Sequence, residues 1–204
     1  MKLTEVNADP AIVDIEIPEL ESFDFDSYFN LTASRSDYGN LVVAQGRETI
    51  THDHHLHTKL FDILSEPIFN IAKNLHSIDK IRYPLFRYKT FEEFYKKDIL
   101  QRGRVGMLGT IDHKGWSQPW HLDNRFIMIS GSINIQDNET STYFAKENYH
   151  WVNGGTSFDH CKLIYKGRNT KFSGTAWINT EHTWHSVPRI TEDQRKTILF
   201  NVFL

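Results

Sequence analysis

RVGMLGTI (residues 104–111), RFIMISGSINIQ (125–136), TAWINT (175–180) and KTILFNVFL (196–204) decide the fold. Each is short and rich in β-branched and aromatic residues, the composition of strands. Smaller pieces of the same kind lie between them: PWHLD (119–123), STYFAKE (141–147), KLIYKG (162–167) and HSVPRI (185–190). Turn-forming stretches separate them, namely DHKG (112–115), QDNE (136–139), NGGTS (153–157) and KGRN (166–169). Many short strands spaced this way predict an all-β sandwich or barrel over residues 104–204.

Residues 1–103 read differently. Val13 to Ile17 alternates apolar and acidic residues, the pattern of a strand with one wet face. A second short strand is expected at Leu41–Ala44. Over residues 57–78, Leu60, Leu64, Ile68, Ile71 and Leu75 recur at steps of three and four and share one helical face. Pro67 falls inside this pattern. Either it opens a second helix, with Ser65 near the cap, or it kinks a single one. Thr90-x-x-Glu93 is a capping box and predicts a helix through Phe94, Tyr95 and Ile99 that Gly103 ends. The expected layout is a single domain, 1–204. A helix-containing support region (1–103) covers the outer face of one sheet of a β-core (104–204).

Composition narrows the function classes. Hydrophobic residues make up 39% of the 204 and charged residues 24%, the balance of a soluble globular protein. The net charge of 23 − 26 = −3 excludes a general nucleic-acid binder, which carries a basic excess. No stretch is long and apolar enough to cross a bilayer, and mean hydropathy is −0.49. The acidic N-terminus lacks the apolar centre of a signal peptide, so a cytoplasmic protein is expected. A single cysteine, Cys161, excludes an intramolecular disulfide and any multi-cysteine zinc site. Eleven histidines are the unusual feature, because imidazole is the commonest metal ligand.

The chemistry centres on Trp120-His121-Leu122-Asp123-Asn124. In a strand, positions i and i+2 share a face, about 6.6 Å apart, so His121 and Asp123 can converge on one metal ion. Sixty-two residues after Asp123 stands His185, with His182 three residues before it, and either can be a distant third ligand. Arg195-Lys196-Thr197 follows ten residues after His185 and opens the last strand, with Arg195 and Thr197 on one face. In the stretch 125–136, Ile127, Ile129, Ile133 and Ile135 share one face; Phe126, Met128, Ser130, Ser132 and Asn134 share the other. That polar set either lines a pocket or faces water.

The order H-x-D, a long β-rich interval, a second His and then Arg-x-Thr resembles the iron(II)- and 2-oxoglutarate-dependent dioxygenases, over roughly residues 104–204. HLDN (121–124) and ETSTYF (139–144) look most like the prolyl-4-hydroxylase-type branch. The resemblance implies a mainly β protein with N-terminal helices, built on a double-stranded β-helix (jelly-roll, cupin-like) core. It implies Fe(II) held by His121, Asp123 and His185, a 2-His-1-carboxylate facial triad that leaves three positions for 2-oxoglutarate and O2. KFSGTAWINTEHTWHSVP (171–188) resembles the family's approach to the distal ligand, which favours His185 over His182. Arg195 stands where the family places the arginine that binds the far carboxylate of 2-oxoglutarate, with Thr197 as a further donor. A planar guanidinium suits that task because it makes two parallel hydrogen bonds to a carboxylate. Asn134 and Tyr143 are the remaining candidate co-substrate contacts. Because Asp123 is a carboxylate, the resemblance implies hydroxylation rather than halogenation, with 2-oxoglutarate and O2 converted to succinate and CO2. The substrate class is peptidyl, amino-acid or small metabolite. The competing reading is a non-redox, cupin-like jelly roll that binds a metal or a sugar, which leaves Arg195-x-Thr197 without a role.

Other clusters read as structural. His52, His54, His55 and His57 in THDHHLHTK have the look of a metal site but lack a distant partner, and read instead as a solvated helix entrance. Trp116, Trp120, Trp151 and Trp184 fit core packing, or else a substrate mouth. Arg102 and Arg104 read as solvated charge, Arg189 as a surface or pocket-mouth residue and Cys161 as a small buried residue. The sequence ends with its last predicted strand, so substrate selection is expected from the N-terminal half and from loops such as 145–160.

Overall fold

A computed structural model describes residues 1–30, 46–50, 55–79, 90–94, 105–146, 151–152, 155–156 and 162–203. The chain opens with a hairpin, β1 (Lys2–Ala8) and β2 (Ala11–Glu16), followed by a 3₁₀ turn (Pro18–Ser22) and α1 (Phe25–Asn30). Then come β3 (Arg47–Ile50), α2 (His55–Ile78) and α3 (Phe91–Phe94). The β-rich half supplies β4 (Val105–His113), β5 (Gln118–His121), β6 (Ile127–Asn134), β7 (Tyr143–Lys146), β8 (Trp151–Val152) and β9 (Gly155–Thr156). It ends with β10 (Lys162–Lys166), β11 (Ser173–Ile178), β12 (Trp184–Val187) and β13 (Gln194–Phe203).

Two antiparallel sheets carry the architecture. The larger has the order β1-β2-β11-β6-β13-β4-β3, and the smaller β10-β7-β12-β5. β8 and β9 pair with each other. The non-consecutive neighbours in both sheets are those of a jelly roll, in which strands cross from sheet to sheet. Three strands of the larger sheet come from residues 1–103, so the N-terminal region builds the sandwich as well as covering it.

The two faces of the larger sheet differ in chemistry. Its outer face carries Val13 and Ile15, Ile129 and Ile133, Ala176 and Ile178, and Ile198, Phe200 and Val202. These pack in one cluster with Leu60, Leu64, Ile68, Ile71 and Leu75 of α2, all fully buried. Helix α2 therefore covers the outer face, as its periodicity predicts. It runs unbroken through Pro67. A mid-helix proline costs about 3 kcal/mol, and burial of the apolar stripe on both sides of it outweighs that. Gly131 on β6 is required by the same packing: a Cβ there would lie 2.1 Å from the Phe200 ring.

The inner face is polar. Ser130, Ser132 and Asn134 of β6 lie on it and are buried, which settles the two readings of that stretch in favour of the interior. Asp14 also turns inward, only 6% exposed, so the wet face expected over Val13–Ile17 is confined to Glu16, which stays partly exposed. Its carboxylate accepts from Tyr165 Oη at 2.6 Å, Arg168 Nε at 2.8 Å and Thr175 Oγ1 at 3.2 Å, which is why an acidic residue is tolerated there.

One local expectation changes. His57 is buried, not solvated, with its Nδ1 3.1 Å from the Tyr28 hydroxyl. The expected Thr90 cap forms, Glu93 N donating to Thr90 Oγ1 at 3.1 Å, and the described part of the helix is Phe91–Phe94. The strand expected at Leu41–Ala44, His52, His54, Tyr95, Ile99, Arg102, Gly103, Arg104 and Cys161 lie outside the described residues. Among those described, no helix is long and apolar enough to cross a membrane.

Candidate metal centre

Register builds the site. In the smaller sheet, His121 of β5 and His185 of β12 are direct cross-strand partners, and their rings lie 4.2 Å apart between centroids. β5 ends at His121, so Asp123 stands in the following loop rather than two positions along a strand. A hydroxyl holds it there: Ser130 Oγ donates to Asp123 Oδ2 at 2.5 Å. Asp123 Oδ1 then lies 3.5 Å from His185 Nε2 and 4.0 Å from His121 Nε2. One ligand atom from each of the three residues falls within 4.8 Å of the others. His182 is exposed and turned to Glu181, which leaves His185 as the histidine of the cluster.

The tautomers suit a metal. His121 Nδ1 lies 2.9 Å from Pro119 O, and His185 Nδ1 3.1 Å from Thr183 O. A carbonyl only accepts, so each Nδ1 carries a proton and each Nε2 is the ring atom that faces Asp123, where a metal would take the place of any proton on it. Ligating histidines are held the same way, by a hydrogen bond from the far ring nitrogen. Burial pushes the His121 pKa down and the neighbouring His185 adds to this, favouring the neutral ring. Burial works to raise the Asp123 pKa, but the hydrogen bonds from His185 and Ser130 outweigh it and hold the carboxyl below its ordinary range. Two neutral imidazoles and one carboxylate fit a first-row divalent metal, Fe(II) among them. Gln118 Nε2 donates to His121 Nε2 at 3.0 Å, a bond that ligation at that nitrogen would replace.

The cluster opens on a cavity of about 80 Å³ between the sheets. Arg195 lines it and is 1% exposed. Arg195 Nη1 donates to Asp112 Oδ2 at 3.0 Å and Nη2 to Thr142 Oγ1 at 3.3 Å, while Nε has no partner among the described residues. Burial pulls the Arg195 pKa down and the Asp112 carboxylate opposes it. Ser132 Oγ and Trp177 Nε1, on the same cavity, are also buried without partners. Buried donors without partners are rare and call for an explanation; a guanidinium Nε and two further donors on one cavity describe a site for a ligand rich in acceptor oxygens. Trp177 also packs its ring against His185, centroids 4.8 Å apart.

The other expected contacts lie elsewhere. Thr197 is buried with its hydroxyl 2.7 Å from that of Thr110. Asn134 donates to Arg168 O at 2.8 Å and Ser173 O at 2.9 Å and accepts from Asn138 at 2.9 Å, so its amide braces the β10–β11 turn. Tyr143 points away from the cavity, with Lys166 Nζ 5.0 Å above its ring. Its neighbour Phe144 points inward and meets His185, and Thr142, one residue back, lines the cavity. Arg189 is exposed and Trp116 packs with Val187 and Ile190. Sequence reasoning missed Arg47, Asp112, Thr142 and Trp177. Strand parity from Phe144 points to Thr142, but nothing local marks Arg47 or Asp112.

No protein-family model and no curated protein matches the sequence. Solved structures do match the fold. A putative oxygenase from Shewanella oneidensis is 10% identical with a TM-score of 0.58, covering 96% of this chain and 82% of that one. A prolyl hydroxylase from Trichoplax adhaerens, solved with a peptide fragment of hypoxia inducible factor, is 12% identical with a TM-score of 0.57, covering 94% and 83%. A Pseudomonas putida prolyl-4-hydroxylase is 7% identical with a TM-score of 0.52, covering 94% and 91%. The chain thus shares its antiparallel, jelly-roll-like fold with an oxygenase and with prolyl hydroxylases.

Proposed function

We propose that this protein is an Fe(II)- and 2-oxoglutarate-dependent dioxygenase that hydroxylates a peptidyl, amino-acid or small-metabolite substrate. The observation that carries the reading is the convergence of His121, Asp123 and His185 beside a cavity whose buried arginine has an unpartnered Nε. Bound there, Fe(II) with 2-oxoglutarate and O2 supplies the oxidation, giving succinate, CO2 and a hydroxylated product. Residues of this chain do the rest. His121, Asp123 and His185 hold the metal; Pro119 O, Thr183 O and Ser130 fix how they face it. Arg195 binds the distal carboxylate of 2-oxoglutarate, with Thr142, Ser132 and Trp177 as neighbouring donors. The flanking apolar surfaces of Val187, Leu199 and Trp177 restrict water around that charge pair, which strengthens it.

The test is succinate formation from 2-oxoglutarate by the iron-loaded chain in air, without added substrate and then across a screen of amino acids, peptides and metabolites. Succinate above the level of a His185→Ala control supports the reading. Tight metal binding with no 2-oxoglutarate consumed under any condition would leave the cupin-like alternative.

A further inference from the structure

Three residues far apart in sequence meet at the arginine end of the cavity. The register of the larger sheet places Asp112 of β4 opposite both Arg195 of β13 and Arg47 of β3. All three side chains project to the inner face. Arg47 clasps Asp112 with two parallel bonds, Nε to Oδ1 at 2.5 Å and Nη2 to Oδ2 at 3.0 Å. Its guanidinium also lies 3.8 Å above the Trp116 ring, which fixes its plane. Asp112 is fully buried and reaches Arg195 through Nη1 alone. In a guanidinium, Nε and Nη2 share one edge, the edge that grips a carboxylate with two bonds. That edge of Arg195 is left to Thr142, at 3.3 Å, and to an Nε with no partner.

We propose that Arg47 and Asp112 are positioning residues that set the charge and the facing of the carboxylate subsite, so that it accepts one carboxylate of the co-substrate. The inference rests on the dioxygenase reading and deepens it. Among the groups paired directly here, Arg47 and Arg195 bring two positive charges and Asp112 one negative, 2 − 1 = +1, while Glu192 acts on Arg195 without pairing with it. One net positive charge matches one carboxylate. Arg47 also keeps Asp112 from competing for the working edge of Arg195. Without Arg47, the buried Asp112 has Arg195 as its only cation here and closes on the edge the co-substrate needs, because a buried carboxylate is costly unless paired.

The experiment titrates 2-oxoglutarate into the Mn(II)-loaded full chain without oxygen, read by calorimetry and tryptophan fluorescence, with Mn(II) affinity measured separately. Arg47→Gln brings the local charge to zero and is expected to weaken 2-oxoglutarate binding by about tenfold or more, the weight of one charged hydrogen-bonded contact. The double variant Arg47→Gln/Asp112→Asn restores +1 and is expected to recover binding to within about threefold of wild type. Arg47→Lys keeps the charge and guards against a folding defect; it is expected to bind better than Arg47→Gln. Arg47→Gln within about twofold of wild type, or a double variant no better than Arg47→Gln in folded protein, would overturn the clamp while leaving the dioxygenase reading standing. A wild-type chain that binds Mn(II) but no 2-oxoglutarate would overturn both.

Discussion

Ser130 shows how much a single hydroxyl carries in this site. Asp123 lies past the end of β5, without a strand to hold it, and the Ser130 bond supplies the missing constraint. Outer-layer contacts of this kind are worth about 10- to 100-fold in metal affinity. Ser130→Ala is therefore expected to weaken Mn(II) binding by about tenfold, measured by electron paramagnetic resonance, with an unchanged circular dichroism spectrum. Arg195→Gln is the complementary change: it should abolish 2-oxoglutarate binding and leave Mn(II) affinity within about threefold of wild type. Parallel loss of metal and co-substrate would make Arg195 a structural residue only. The grouping of His121, Asp123, His185 and Arg195 around one cavity was legible from the order and spacing of their residue types. Arg47 and Asp112 were not, since their partnership spans 65 residues to one arginine and 83 to the other, and only sheet register brings them together.

Elements explain what periodicity could and could not reveal. The steps of three and four in α2 were readable because a buried helix must present one apolar face, and they hold across Pro67. Its continuity was not readable, because it depends on the sheet beneath. The inward turn of Asp14 was hidden for the same reason: alternation locates two faces without saying which one is wet. Gly131 is where helix, sheet and core meet. Gly131→Ala drives a methyl into Phe200 and is expected to cost about 1–3 kcal/mol or more, seen as a lowered Tm. The loop before β13 adds a pH-sensitive brace, because Glu192 accepts from Thr140 N at 3.1 Å and Thr140 Oγ1 at 2.8 Å. Burial acts to raise the Glu192 pKa, but these and neighbouring backbone bonds hold it below its ordinary value. Its folded pKa is thus the lower one. The brace contributes fully above the unfolded glutamate range, about 4.3, and is lost as pH falls through the folded value. Glu192→Gln should narrow the difference in Tm between neutral and acid pH; an unchanged difference would mean the brace carries no linked stability.

At the scale of the molecule, the two faces of one sheet divide the labour. The outer face is apolar and held by α2; the inner face is polar, buried and turned toward the histidines of the smaller sheet. Residues 1–103 serve both sides, through the α2 stripe and through Arg47 on the edge strand β3. The β-core was legible from strand-like segments and turn signals, and β2 from the Val13–Ile17 alternation, whereas β1 and β3 and the joining of the N-terminal strands to the larger sheet were not, because β2 and β3 find their partners in the distant half of the chain. The most direct measurement of the whole account is the anaerobic absorption spectrum of the protein with Fe(II), before and after 2-oxoglutarate. A weak visible charge-transfer band that appears only with both, and is absent in Arg195→Gln with iron bound, is the predicted result. Iron bound to the intact chain with no new band on adding 2-oxoglutarate would contradict it.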